Sequence, residues 1–247
     1  MRPLIAGNWK MNGWTRQLAD VQSLADALNV QPASADVLIC PPFTLIERAV
    51  SAAAGIVAIG GQNCHHEASG AFTGEVSAAM LRDAGASAVI VGHSERRYKN
   101  GESNAVVAAK ASAALRAGLL AIVCVGETRA QRAAGQALTI CGEQIAHSVP
   151  DEMSASVGAI GYEPLWAIGS GHTPTAEEIT EMHAHIRQCL MAQLGTSGQL
   201  IRILYGGSVT SHNAHSILSL PLVGGALVGG ASLDSSEFEA IVRAVPS

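Results

Sequence analysis

Four polar residues stand where packing alone would not place them. Glu163 is the one charged side chain in GYEPLWAIGSG, residues 161–171. A carboxylate beside Trp166 and Ile168, covered by a hinged loop, would be desolvated, and its pKa would tend to rise. That suits a general base acting on a carbon acid. His93 precedes SERR, a plausible helix start. A helix N-terminus disfavours imidazolium, so a neutral ring acting as a donor is physically sensible there. Lys10 is one of only three lysines, and it ends an apolar run instead of decorating a helix. A positive charge in that place suits an anionic substrate. Asn8, two residues earlier, ends the same run.

These residues share a place in a repeating pattern. Short apolar runs recur about every thirty residues: PLIAGNWK from Pro3, DVLICPP from Asp36, IVAIGGQN from Ile56 and SAVIVGHS from Ser87. LLAIVCVGE from Leu119, SVGAIGYEP from Ser156, IRILYGGS from Ile201 and GALVGGAS from Gly225 follow. They lack internal polar alternation, which marks strands buried on both faces. Amphipathic helical stretches lie between them. One starts at Thr15, with Leu18, Val21, Leu24 and Leu28 at helical spacing; others start after the capping candidates Ser103 and Thr175. Eight alternations of strand and helix mean a parallel sheet with right-handed crossovers. Closed on itself, that is an α/β chain folded as a single (β/α)8 barrel over residues 1–247. An open doubly wound sheet is the competitor, but GNWKMNG does not read as its Gly-rich dinucleotide turn.

In a barrel the C-terminal strand ends share one rim, where sites are built. Asn8 and Lys10 follow the first run, His93 and Glu95 the fourth, Glu127 the fifth, Glu163 the sixth, and Tyr205 and Ser208 the seventh. Any one of them could mark only where the chain reaches water. A base, a neutral donor and a lysine at the same ends point to a site. The last two ends are glycine-rich, YGGSV at 205–209 and LVGGAS at 227–232. Glycine lets backbone N–H groups approach an oxyanion, and loops in these two places often bind phosphate.

Other classes fit poorly. The net charge of −5 argues against a broad nucleic-acid surface. No long apolar run free of charges or breakers spans a membrane, and the first residues are too short in apolar character for a secretory signal. Five irregularly spaced cysteines fit a reduced, cytoplasmic setting better than a disulfide framework. Cys64, His65, His66 and Glu67 look like metal ligands, but adjacent side chains in one loop rarely converge. Cys124 reads as core packing.

The chain resembles the triosephosphate isomerase family from about Pro3 to Val242. Its markers occur in family order: GNWKMN, GQN with GAFTGE, GHSERR, CVGE, YEPLWAIGSG, YGGSV and LVGGASL. The resemblance implies reversible interconversion of dihydroxyacetone phosphate and glyceraldehyde 3-phosphate, in glycolysis and gluconeogenesis, with no metal and no organic cofactor. It assigns Glu163 as the base, His93 as the neutral electrophile and Lys10 as the positive charge. Asn8 positions the substrate and Glu95 supports the site from behind. The family is itself a standard illustration of acid and base groups tuned by environment. Phosphate-binding N–H groups would come from Gly169, Ser208, Gly229 and Gly230, and residues 164–175 would form a closing lid. A homodimer is implied, with the loop Gly61 to Glu75 inserted into the partner and Thr73 reaching its site. The alternatives are a catalytically silent barrel that binds a partner, and another sugar-phosphate barrel enzyme.

Three places depart from the family pattern. Leu222 and Gly224 stand where aspartates are common, so the ion pair to Arg187 cannot form. Arg187 should turn to water or find another acceptor. His172 opens the lid's second hinge in place of the commoner lysine or leucine.

Overall fold

The computed structural model describes residues 1–168 and 173–246. Eight strands close into one parallel barrel in chain order. They are β1 (Leu4–Asn8), β2 (Asp36–Cys40), β3 (Ala58–Gly61) and β4 (Ala88–Val91), then β5 (Leu120–Val125), β6 (Gly158–Tyr162), β7 (Arg202–Tyr205) and β8 (Gly225–Val228). Each lies inside one of the apolar runs. Pairing of Leu4 with Gly225 through Gly7 with Val228 closes the ring.

Side chains alternate across each strand, so one set fills the barrel and the other meets the helices. Leu4 and Ala6, Leu38 and Cys40, Ala88 and Ile90, and Ile122 and Cys124 belong to the interior cluster. Ile5, Val37, Ile39, Val89, Val91 and Val123 belong to the larger shell under the helices. Cys124 is fully buried in the interior cluster, as packing requires. The period of two carries the interior face onward past the strand ends. Asn8 continues Leu4 and Ala6, and Glu163 continues Ala159 and Gly161. Both therefore rise into the mouth of the barrel, above a floor of aliphatic side chains.

The helices begin where their caps stand. Ser103 Oγ accepts the Val106 N–H (3.3 Å) at the head of helix Asn104–Arg116. Thr175 and Glu178 form a reciprocal capping box at the head of helix Ala176–Leu194, so each satisfies the other's backbone N–H. The stretch from Thr15 opens as a short 3-10 turn, Thr15–Gln17, before helix Leu18–Val30. No helix among the described residues is long and apolar enough to cross a membrane.

Candidate active site

Glu163, His93 and Asn8 are 2%, 6% and 5% exposed, so their polar atoms need partners to be tolerated. Glu163 has three. Its Oε2 accepts the Ser94 N–H (2.9 Å), and its Oε1 accepts the Ser94 hydroxyl (3.1 Å) and His93 Nε2–H (2.9 Å). The backbone makes room for this carboxylate. A Cβ on Gly126 would fall 1.8 Å from the Glu163 carbonyl oxygen, and one on Gly206 would fall 3.0 Å from Glu163 Cγ. Only glycines let the ends of β5 and β7 close on the end of β6.

The direction of the Glu163 pKa corrects the sequence expectation. Burial does push it up, but the His93 ring and the two Ser94 donors outweigh burial and hold it below the ordinary glutamate value. The site stores an ionised base, not a protonated acid.

His93 caps helix Ser94–Lys99, and its Nδ1 accepts the Glu95 N–H (3.2 Å). The ring proton therefore sits on Nε2, facing Glu163. Burial disfavours the imidazolium, while the neighbouring Glu163 charge draws the His93 pKa above its ordinary value. A second proton would have to go to Nδ1. There it would displace the Glu95 N–H and face the positive end of a helix. The ring donates from Nε2 to Glu163, and the Glu163 and Glu95 carboxylates on its two sides, 2.9 Å from Nε2 and 3.7 Å from Nδ1, draw its pKa up.

Lys10 adopts a left-handed backbone, φ 54°, uncommon for a side-chain-bearing residue. Two side chains hold it there. Asn8 Oδ1 accepts the Lys10 N–H (3.0 Å), and Gln62 Nε2 donates to both the Lys10 and Cys40 carbonyls (2.8 Å each). The Lys10 ammonium meets Glu95 Oε1 at 2.9 Å, so Glu95 braces lysine and histidine from outside the cavity. Behind β1, Trp9 Nε1 donates to the Ser232 carbonyl (2.9 Å), tying the first strand end to the last.

Asn8, Lys10, His93, Glu163, Ser208, Gly229 and Gly230 line one cavity of about 270 Å³ at this mouth. Gly230 opens a 3-10 turn, Gly230–Leu233, whose first N–H groups are free of helical partners. A Cβ there would meet no protein atom within 4 Å. The protein's own packing does not demand glycine at Gly230, whereas an anion seated on the backbone would. A larger cavity, about 850 Å³, opens at the opposite end of the barrel beside Arg2, Asp36 and Arg202. Their ion pairs, 2.7 and 3.5 Å, tie them to one another and supply no base.

The segment that follows β6 is held by Glu127, fully buried after β5. It accepts from Arg132 Nε and Trp166 Nε1 (2.8 Å each) and from the Tyr162 hydroxyl (3.2 Å). Ser208 Oγ donates to the Ala167 carbonyl (2.9 Å). Gly169 and His172 lie outside the described residues. Thr73 is exposed at the tip of its loop.

Sequence reasoning left out Ser94 and Gln62. Gln62 follows β3, and the strand-end rule that found Asn8 could have found it. Ser94 lies in the quoted SERR, where it reads as an ordinary helix start.

Cys64, His65, His66 and Glu67 do not converge on a shared point. His65 stacks on His66 (ring centroids 4.4 Å) and packs at a tilt against Phe72. Arg187 finds substitute acceptors in the Gly198 and Ile201 carbonyls.

The profile of the family described as triosephosphate isomerase matches residues 3–245. The chain is 55% identical to the triosephosphate isomerase of Afipia carboxidovorans, over all of this chain and 98% of that one. It is 51% identical to that of Rhodopseudomonas palustris, with the same coverage. The crystal structure of the Bartonella henselae triosephosphate isomerase superposes with a TM-score of 0.92 at 44% identity, covering 99% of both chains. With the closed barrel and the Glu163–His93–Lys10 cavity at its mouth, this match over nearly the full length shows that the chain belongs to the triosephosphate isomerase family.

Proposed function

We propose that the chain interconverts dihydroxyacetone phosphate and D-glyceraldehyde 3-phosphate, with Glu163 moving the proton. The observation that carries this reading is a buried carboxylate facing a histidine Nε2–H at 2.9 Å, in one cavity with Lys10 and Gly230. Glu163 takes a proton from the carbon next to the carbonyl. The electron pair of that C–H bond forms the C=C bond, and the carbonyl electrons move to oxygen. His93 Nε2–H and the Lys10 charge stabilise that oxygen in the enediolate. The hydroxyl proton on the first carbon passes to the former carbonyl oxygen, with His93 Nε2 between the two oxygens. Glu163 returns its proton to the former carbonyl carbon, and the new C=O forms on the first carbon. Nothing is oxidised or lost, so the reaction as written needs neither a metal nor an organic cofactor.

Two features support the assignment. The carboxylate is ionised and hydrogen-bonded to Ser94, so substrate must exchange for those donors before Glu163 can act. The last two strand ends supply backbone N–H groups for the phosphate: Ser208 after β7, Gly229 and Gly230 after β8, with Gly169 proposed from the lid. Lid closure would exclude water, which strengthens the charge interactions and protects the enediolate from losing its phosphate. A coupled assay of purified protein with glyceraldehyde 3-phosphate tests the reading. Absence of turnover in folded protein would contradict it.

We also infer a homodimer, built on the loop Gly61 to Glu75, with Thr73 reaching the partner's site. The exposed tip carries Phe72 at 42% exposure, and Met11 and Trp14, just past Lys10, are 96% and 70% exposed. An apolar group at each place is what a second copy would cover. A role in glycolysis and gluconeogenesis implies a cytoplasmic location.

A further inference from the structure

The cavity of about 850 Å³ at the N-terminal end of the barrel has a mostly aliphatic wall, with Leu4, Leu38, Ile59 and Leu120 in it. Arg2, Asp36 and Arg202 stand among these residues. The period of two places them. Arg2 precedes Leu4, Asp36 precedes Leu38 and Arg202 precedes Leu204 on the interior face. The alternation that lifts Asn8 and Glu163 into the far mouth sends these three into this one.

Arg202 is incompletely partnered. It opens β7, and its side chain is 10% exposed. Nη1 donates to Asp36 Oδ2 (2.7 Å). Nε is buried with no acceptor among the described residues, and no hydrogen bond runs from Nη2 to any of them. Nε and Nη2 share one edge of the guanidinium, the fork that grips both oxygens of a carboxylate. A buried donor left unpaired costs free energy, and arginine does not shed its charge to escape that cost. The next strand supplies no acceptor: a Cβ on Gly224 would stand 3.2 Å from Arg202 Cβ, but glycine has none. Arg2 is already committed, donating from Nη2 to the Ala33 and Ala35 carbonyls (2.6 and 2.8 Å) and meeting Asp36 Oδ1 from Nε (3.5 Å). Two cations and one anion therefore line the cavity, which leaves one positive charge in surplus.

We propose that this cavity is a second binding site, for a small organic monocarboxylate with an apolar body. The carboxylate takes the free Nε–Nη2 edge of Arg202, and the aliphatic or aromatic body lies against Leu4, Leu38, Ile59 and Leu120. The volume falls within the roughly 300–1,000 Å³ usual for small-molecule sites. One surplus charge matches one carboxylate, whereas a sugar phosphate would set its hydroxyls against the aliphatic wall. The ligand class thus differs from that of the Glu163 cavity, at the other end of the barrel, and the two sites can be filled together.

Hexanoate is the probe, titrated into the full chain and followed by calorimetry and methyl NMR. Methyl shifts of Leu4, Ile59 and Leu120 report this cavity, and those of Val209 and Ile168 report the other. Hexanoate should move the first set to saturation. It should bind about tenfold to a hundredfold more tightly than hexanamide, which has the same body without the charge. Acetate, which lacks the body, should bind more weakly than hexanoate, and hexylammonium should not bind. Arg202→Met should bring hexanoate down to the level of hexanamide, and Arg202→Lys, a charge without the fork, should fall between. If Arg202→Met does not fold, the comparison of head groups on the unaltered protein decides alone. Equal affinity for hexanoate and hexanamide would show an apolar hollow that reads no charge and would overturn the proposal. So would unchanged binding in folded Arg202→Met, shifts confined to Val209 and Ile168, or no shift at millimolar hexanoate.

Discussion

Ser94 grips Glu163 twice, through its N–H to Oε2 at 2.9 Å and its hydroxyl to Oε1 at 3.1 Å. Ser94→Ala removes one of these bonds. A hydrogen bond to a charged group contributes about 1.5–3 kcal/mol, and the ring of donors holds the Glu163 pKa below its ordinary value. The stability tied to that lowering is full above the unfolded glutamate value, 4.5, and is lost as pH falls through the folded one. Ser94→Ala should therefore lower the urea midpoint near neutral pH, and the deficit should shrink below about pH 4.5. A deficit that does not change with pH would show that the bond is not made to an ionised carboxylate.

Leu222 stands with φ 64° and 45% exposure, in place of a common family aspartate. A left-handed backbone costs a non-glycine residue about 1–2 kcal/mol, and asparagine tolerates it best among residues with side chains. Leu222→Asn should stabilise the fold by roughly 0.5–1 kcal/mol. Leu222→Asp should add only about 0–1 kcal/mol, because any pair with Arg187 would be partly exposed and Arg187 already has carbonyl partners. Denaturant midpoints at constant slope measure both. A gain well beyond this from aspartate would show a buried pair.

His183 is fully buried, donates from Nδ1 to the Leu222 carbonyl (3.3 Å) and leaves Nε2 without a partner among the described residues. Burial lowers its pKa from 6.5 to about 4. The unfolded chain thus binds a proton that the folded chain refuses, so stability falls as pH drops from about 6.5 to about 4. His183→Gln keeps a donor and cannot titrate. Its stability curve should be flatter across that window, and a wild-type-like slope would assign the acid sensitivity elsewhere.

Much of this was legible in the sequence because the barrel makes strand ends coincide. Asn8, Lys10, His93 and Glu163 are far apart in the chain, yet each follows a doubly buried run, so one closed sheet gathers them. The pKa of Glu163 was not legible. Its direction depends on Ser94 and His93 donating together, which is a matter of distances and not of residue type. The strained conformations of Lys10 and Leu222 have no pattern in the sequence, since neither residue type favours a left-handed backbone.

The exposed Phe72, Met11 and Trp14 bear on assembly. Light scattering near micromolar concentration should give about twice the 25.3 kDa chain mass. Thr73→Arg places a long charged side chain at the loop tip and should shift the mass toward one chain, with loss of activity. A single-chain mass with full activity in the unaltered protein would contradict the homodimer.

Glu163→Gln tests the account at its centre, because it keeps the shape of the side chain and removes the proton acceptor. Acid–base catalysis by a positioned group contributes about 10² to 10⁴ in rate, so kcat should fall by at least that order. Affinity for an unreactive phosphate-bearing analogue, read by calorimetry, should fall far less, since Lys10, Ser208 and Gly230 still line the cavity. Turnover near the wild-type rate would place the base elsewhere and contradict the mechanism.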